Sequence, residues 1–243
     1  MVDLLKAADE MKTTMGKYMA RKVMAHLLKE KMSLGGEKLE VTILFTDIRS
    51  FTTISENMDP QALVALLNEY FTEMVTIVLG QDGVVDKYIG DAIMVVFGAP
   101  EPMADDALRA LRSAVGMRNA LRKLNDRLAE RGMPPLRTGI GIHTGEVIAG
   151  SIGHEEQRQY TVIGDAVNLA SRLETATKDL GVNILISEHT YALVKDHVEA
   201  RPMKEIHVKG RAQPVMTYEV LGLTGEPPLE SKAQGSRPPE ATA

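Results

Sequence analysis

Two aspartates lie at the ends of short apolar strands, and their positions suggest chemistry. Asp47 follows the β-branched and apolar run from Leu39 to Phe45, and Asp91 lies in the Gly90-Asp91 turn of a predicted hairpin. Either aspartate alone is explained as an ordinary turn residue. If the hairpin lies beside the first strand, however, the two carboxylates converge and repel each other without a cation. Magnesium needs only one or two protein carboxylates, so the pair predicts metal-assisted phosphoryl chemistry.

The composition excludes several other classes of site. The chain has 243 residues, a formal net charge of −5 and no cysteine. Bulk charge therefore gives no support to nucleic acid or anionic lipid as a partner, and any metal needs oxygen or imidazole ligands. The six histidines show no paired metal-ligand spacing and no serine nucleophile motif is present, so hydrolases are disfavoured. We interpret His143 and His154 as structural or surface residues.

Hydrophobic periodicity predicts the elements that must position the two aspartates. A helix over residues 60–79 opens with Pro60, a favoured first helical residue, and carries apolar side chains at helical spacing. The two-residue turn at Gly90 joins its flanking strands as a hairpin. The sum is an α+β domain, in which we predict strands over 39–45, 84–89, 92–97, 138–146 and 159–163, and further helices over 103–131 and 165–178.

The two ends of the chain are predicted to differ from this domain. Residues 1–36 contain a helix, over 11–32, with one apolar face, which fits packing on its own domain, a dimer stalk or a helix carrying a signal from an upstream sensor domain. Residues 37–222 are predicted to form the α+β domain that carries the two aspartates, and residues 223–243 are predicted to be a disordered tail. No uninterrupted apolar run is long enough for a membrane segment or signal peptide, so we expect a cytoplasmic protein.

Four motifs carry a resemblance to a known family. The segments FTDIRSFT at 45–52 and IGDA at 89–92 resemble the two metal-binding motifs of class III adenylyl and guanylyl cyclases. YTVIGDAVNLASRL at 160–173 resembles the family's segment for base, ribose and phosphate contacts, and VKG at 208–210 its late phosphate motif. The motifs occur in the family's order between about residues 38 and 221.

The resemblance implies a fold and a shared site. The fold is a ferredoxin-like, palm-type nucleotide cyclase core, an antiparallel sheet with flanking helices. Each of two sites lies between the subunits of a homodimer. One subunit supplies Asp47, Asp91 and the Ile48 carbonyl as ligands of two divalent metal ions, Mg²⁺ or Mn²⁺. The other subunit supplies the residues that contact the nucleotide, namely Lys87, Thr161, Asn168 and Arg172.

Two of these residues bear on the choice of base. The ammonium of Lys87 offers donors only, which match the unprotonated N1 of adenine and oppose the N1 donor of guanine. A buried mismatch of donors costs about 1–3 kcal/mol, so Lys87 favours ATP. The Thr161 hydroxyl can accept or donate, so it discriminates less sharply than the Asp of many adenylyl cyclases. The chain resembles the branch of the family that has Thr or Ser at this position. Because that branch includes bicarbonate-responsive enzymes, bicarbonate stimulation is a hypothesis for this chain.

The helix after Gly164 carries the remaining candidates. Asn168 and Arg172 are four residues apart, so they share a helix face. In the family the asparagine orients the ribose, and the arginine meets the charge that develops on the α-phosphate, a task suited to a permanently charged fork. We interpret Asp165 as the N-cap of this helix. Either Lys209 or Arg211 is expected to contact the triphosphate, and the spacing does not decide which.

These inferences predict an adenylate cyclase that converts ATP to 3′,5′-cyclic AMP and pyrophosphate. One alternative is a guanylate cyclase, which Lys87 disfavours. A second is a catalytically inactive module that dimerises or senses nucleotide, which Asp47, Asp91 and Arg172 disfavour because degenerate members of the family usually lack one of these groups. A diguanylate cyclase is disfavoured because its Gly-Gly-acidic-Glu-Phe signature is missing from the hairpin.

Overall fold

The structure is a computed structural model that describes residues 20–29, 36–206 and 214–225. Within these ranges the helices are α1 (Arg21–Lys29), α2 (Phe51–Glu56), α3 (Pro60–Gly80), α4 (Asp106–Glu130), α5 (Asp165–Leu180) and α6 (Glu188–Val194), followed by a 3-10 turn at Lys195–His197. The strands are β1 (Glu37–Ile48), β2 (Val84–Ile89), β3 (Ala92–Phe97), β4 (Thr138–His154), β5 (Gln157–Ile163), β6 (Ile184–Ser187), β7 (Val198–Pro202) and β8 (Thr217–Leu223).

The described strands form one sheet in the order β2-β3-β1-β4-β6-β8-β7, with β5 paired to β4. The chain from β1 to β4 runs strand, helix, hairpin, helix, strand, and its four strands pair antiparallel in the order β2-β3-β1-β4. This is the ferredoxin-like core, and the α+β prediction is confirmed. The sheet as a whole is mixed, because α5 carries the chain across to β6, which pairs parallel to β4.

The two faces of the sheet bury different clusters. Successive β1 side chains alternate, so Leu44 and Ile48 face α3 and α4, whereas Ile43 and Phe45 join a second cluster with residues of β5 and α5. Helix α3 begins as predicted, with Pro60 in its first turn and the Asp59 side chain accepting hydrogen bonds from two backbone N–H groups at its start. The cap and the buried helix face fix α3 against the strands that carry the two aspartates.

Helix α3 is also the one described helix that is long and apolar enough to cross a membrane. That α3 is long and apolar enough for this was not predicted, because its apolar residues do not form one uninterrupted run. Its side chains at Leu66, Tyr70, Met74 and Val78 are buried in the domain core, which is the ordinary position of an apolar helix in a globular fold. We therefore assign α3 to the core.

Several element boundaries differ from the predictions. Strand β4 continues to His154, eight residues beyond the predicted end, because its second half pairs with β5. The predicted tail begins one residue too early, since Leu223 closes β8 by pairing with Val198. Helix α2 was not predicted. Of the predicted helix over 11–32, residues 20–29 are described, and residues 226–243 of the tail lie outside the described part.

Helix α1 packs on its own domain. Its Val23 and Met24 side chains are buried, and the His26 ring lies edge-on to Tyr160 of β5 with ring centroids 5.7 Å apart. The Lys22 ammonium lies 2.9 Å from the Asp82 carboxylate. The described part of the helix thus packs on the domain, and the roles as a dimer stalk or signalling helix stay predictions.

Glycines of β4 allow close approach of α5, and replacing one is expected to destabilise the fold. A Cβ at Gly141 would lie 2.1 Å from the Glu174 backbone nitrogen, which cannot move without shifting the helix. We expect Gly141→Ala to lower the free energy of unfolding by about 1–3 kcal/mol. Gly80→Ala is the matched control, because a Cβ there has no neighbour within 4 Å. Urea unfolding of both variants measures the difference, and equal stability would contradict the assigned contact.

Candidate active site

The Asp47 and Asp91 side chains meet where β1 ends beside the tip of the β2-β3 hairpin. The Ile48 backbone N–H donates to Asp91 Oδ2 at 3.1 Å, which ties the hairpin tip to β1. Burial, the hydrogen bond to the Asp91 carboxyl and the charges of Asp91 and Glu174 raise the pKa of Asp47 to about 7, against an opposing backbone hydrogen bond from Ile48. Two converging carboxylates that favour a shared proton form a site for a cation.

A third carboxylate, not predicted from the sequence, lies behind this pair. Burial raises the pKa of Glu174 on α5, with a smaller contribution from Asp91, whereas Arg49 and Thr175 oppose the rise. The Arg49 guanidinium donates to the carbonyls of Thr177 and Val182, and so fixes the chain just after Asp47 to the end of α5. Glu174 adds negative potential at the Asp47–Asp91 pair, which strengthens its preference for a cation.

Lys87 and Thr161 also meet, through a residue that the sequence analysis did not select. The Thr161 hydroxyl donates to Asp86 Oδ2 at 2.9 Å, and the Lys87 ammonium lies 3.2 Å from the same oxygen. Burial raises the pKa of Asp86, and the hydrogen bonds and charge from Thr161 and Lys87 oppose that rise. A cavity of about 210 Å³ lies beside this group, lined by Asp86 and Thr161, by Val23 of α1 and by Ala20 just before that helix.

Asn168 and Arg172 share one face of α5, as their spacing predicts. Asn168 is exposed and Arg172 half-buried, on the side of the helix away from its buried face. Neither side chain makes a hydrogen bond or ion pair to another residue of the described ranges. Asp165 is not the N-cap that the sequence predicted: Gly164 occupies that position, and Asp165 is the first helical residue, where its charge favours the helix dipole.

Of the remaining candidates, two are structural or surface residues and two lie outside the described residues. The buried His143 ring is hydrogen-bonded through Nδ1 to Ser187 Oγ at 2.7 Å, and His154 accepts from the Glu156 N–H in the exposed β4-β5 turn, so both are structural or surface residues as interpreted. Lys209 and Arg211 lie outside the described residues, and their predicted triphosphate contact stays a prediction.

The donor set of the carboxylate pair fits a hard divalent cation. Among the described residues, no group of three or more acidic or histidine side chains is placed to hold a metal ion. The carboxylate oxygens of the pair are the kind of ligand that hard cations such as magnesium take, with water or phosphate oxygens completing the coordination. Asp47, Asp91 and the backbone of Ile48 are the groups that would hold it.

The ferredoxin-like core with a carboxylate pair at the hairpin tip defines a palm-type domain, and the comparisons identify its family. The family model for the adenylate and guanylate cyclase catalytic domain matches residues 36–222. Adenylate cyclase 1 of Rhizobium meliloti (strain 1021) is 41% identical over 184 residues, which cover 76% of this chain and 28% of the relative. The chain therefore belongs to the adenylate and guanylate cyclase catalytic domain family and spans about a quarter of the length of that relative.

Two solved structures have the same fold. The guanylyl cyclase Cya2 superposes with a TM-score of 0.74 at 39% identity, covering 79% of this chain and 96% of that one. The adenylyl cyclase CyaB from P. aeruginosa superposes with a TM-score of 0.73, also at 39% identity, covering 78% and 97%. Because a guanylyl and an adenylyl cyclase are equally similar, overall similarity does not decide the base, and individual side chains must.

Proposed function

We propose that the chain is an adenylate cyclase that converts ATP to 3′,5′-cyclic AMP and pyrophosphate. The observation that carries the proposal is the convergence of Asp47 and Asp91, which creates a cation site at the end of β1. The Lys87–Thr161 group on the same hairpin and β5 supplies the base contacts. Lys87 and Asp91 are four residues apart, a distance that extended chain would span in at most roughly 13 Å and that the turn at Gly90 shortens.

Each group has a physical role in the proposed reaction. Two bound Mg²⁺ or Mn²⁺ ions would supply Lewis acidity toward the ribose 3′-hydroxyl and the departing pyrophosphate. Asp47 and Asp91 place that charge at the strand end. Asn168 orients the ribose, and Arg172 donates to the charge that develops on the α-phosphate, with its planar fork matched to phosphate oxygens. The 3′-oxygen forms its bond to the α-phosphorus as the bond to pyrophosphate breaks, and no covalent enzyme intermediate is needed.

We further propose that the working unit is a homodimer in which each site combines the Asp47–Asp91 pair of one subunit with the nucleotide contacts of the other. Exposed apolar side chains flank both groups: Tyr88 and Ile89 on the hairpin, and Ile148 and Ile163 as neighbours across β4 and β5, are each at least 45% exposed. A cluster of this kind fits a surface that a second copy covers.

The base contacts favour ATP over GTP. Lys87 presents donors, which match adenine N1, and Thr161 can accept from the adenine 6-amino group. A guanylate cyclase, the alternative that one structural neighbour's activity would suggest, would have to tolerate the Lys87 ammonium facing the N1–H of guanine. Cytoplasmic location and an upstream sensor domain remain part of the proposal.

The direct test is product analysis by chromatography after incubation with ATP or GTP and either Mg²⁺ or Mn²⁺. Cyclic AMP from ATP in large excess over cyclic GTP from GTP supports the proposal. Cyclic GTP as the main product would assign the guanylate alternative, and no cyclic product under any condition would favour the inactive regulatory module.

Bicarbonate stimulation is the expected result of a second assay. The threonine at position 161 resembles the family branch that includes bicarbonate-responsive enzymes, so adding bicarbonate at fixed pH and ionic strength should raise the rate of cyclic AMP formation. Sodium chloride at the same ionic strength is the control. An unchanged rate would remove bicarbonate from the set of effectors and leave the cyclase proposal intact.

A further inference from the structure

Asp86 occupies a β-bulge of β2 in its pairing with β3, directly before Lys87. In the β2-β3 ladder Val85 pairs with Val95 and Lys87 with Met94, so Asp86 is the extra residue. In a regular strand, consecutive side chains point to opposite faces, whereas a bulge re-aims them. The bulge therefore allows the Asp86 carboxylate and the Lys87 ammonium to lie 3.2 Å apart although the residues are adjacent in sequence.

The Asp86 side chain is 5% exposed, and the Lys87 ammonium lies beside its carboxylate. Thr161 Oγ1 donates to Oδ2 at 2.9 Å, and the Gln159 side-chain amide donates to the Asp86 backbone carbonyl at 3.1 Å. Strand β5 pairs with β4, and these two hydrogen bonds attach it to β2 as well. A buried charge of this kind persists when charge-assisted hydrogen bonds offset its lost hydration.

The contact determines which way the Thr161 hydroxyl points. A hydroxyl has one proton and two lone pairs, and an ionised carboxylate can only accept. While the Thr161 proton is held by Asp86, only lone pairs remain for a ligand. Adenine presents a donor, its 6-amino group, where guanine presents the O6 acceptor, so the held hydroxyl attracts the first and repels the second.

We propose that Asp86 is a positioning residue for base selectivity: it holds the Thr161 proton, so that a side chain able to donate or accept acts as an acceptor only. The proposal rests on the proposed function, because it assigns how that site distinguishes ATP from GTP. It also explains how a threonine can do the work of the aspartate that many related cyclases have at this position. Asp86 itself does not contact the nucleotide.

Asp86→Leu tests the proposal, because leucine has nearly the shape of aspartate and no hydrogen-bond acceptor. The Thr161 proton is then released toward the base. We expect the ratio of kcat/KM for ATP to that for GTP to fall about tenfold, the effect of one misdirected buried hydrogen bond. In a Thr161→Val background, which has no hydroxyl to orient, adding Asp86→Leu should leave the ratio unchanged. Asp196→Leu, on the exposed 3-10 turn, is the matched control.

Two results would overturn the proposal. One is an unchanged ATP to GTP ratio in Asp86→Leu. The other is an equal fall in the ratio with and without the Thr161 hydroxyl, which would show that Asp86 acts only by holding β2 against β5 or through Lys87. If the native chain forms no cyclic product, the proposed function fails separately, and calorimetric binding of ATP and GTP to the same four variants measures the selectivity instead.

Discussion

Asp47→Asn is expected to lower the rate of cyclic AMP formation by at least about a thousandfold. The substitution keeps the side-chain volume and removes the charge that holds a divalent cation, and metal stabilisation of phosphoryl transfer supplies several kcal/mol, at about 1.4 kcal/mol per tenfold in rate. The amide also replaces a carboxyl whose pKa is raised to about 7, first by burial and then by its hydrogen bond to Asp91 and the charge of Asp91. The folded metal-free chain should therefore lose no stability.

A large loss of rate without a loss of stability is expected for a metal ligand and not for a structural residue. Steady-state cyclase assays measure the rate, and thermal unfolding with and without Mg²⁺ and ATP measures binding, because a ligand that binds only the folded state raises its melting temperature. The shift should be large in the native chain and in Asp196→Asn, and small in Asp47→Asn. A variant retaining more than about a tenth of the native rate would remove Asp47 from the proposed metal site.

Mixing two inactive variants is expected to restore activity. Arg172→Ala should by itself lose about a hundredfold to a thousandfold in rate, as for removal of one transition-state donor. In a dimer with shared sites, Asp47→Asn and Arg172→Ala chains form a heterodimer in which one site has both defects and the other has none. With free exchange half of the dimers are mixed, so the mixture should regain about a quarter of the native rate.

Two controls make the mixing result decisive. In the first control, each single variant is mixed with native chain, and the rate should follow the fraction of intact sites. In the second, a chain carrying both substitutions is mixed with either single variant in equal amounts, and the rate should not exceed that of the single variant alone. If no mixture of the two single variants exceeds that background although exchange is shown by size-tagged chains, each site lies within one subunit, and the proposed arrangement is wrong.

The fold was largely accessible from periodicity because its elements are locally determined. Helix α3 has a capping aspartate, an early proline and a regular apolar face, and the Gly90-Asp91 turn permits a two-residue hairpin with Gly90 at a φ of 66°. The strand ends that were predicted wrongly depend on pairing with strands that are distant in sequence. The continuation of β4 to His154 requires β5, and Leu223 is ordered by Val198 of β7.

The site residues likewise divide into those placed by local rules and those placed by contacts distant in sequence. By itself the sequence determined that Asp47 and Asp91 each lie at the end of a strand and that Asn168 and Arg172 share a helix face, because strand alternation and helix spacing are local rules. The prediction that Lys87 and Thr161 contact the base came from the family resemblance. The pairing of β1 with β3, which brings the two aspartates together, is a tertiary contact. Only the tertiary structure decided that Glu174 adds its charge to the aspartate pair and that Asp86 joins Lys87 to Thr161. A β-bulge and a helix packed on glycines bring these groups together, and neither long-range contact has a period that the sequence displays.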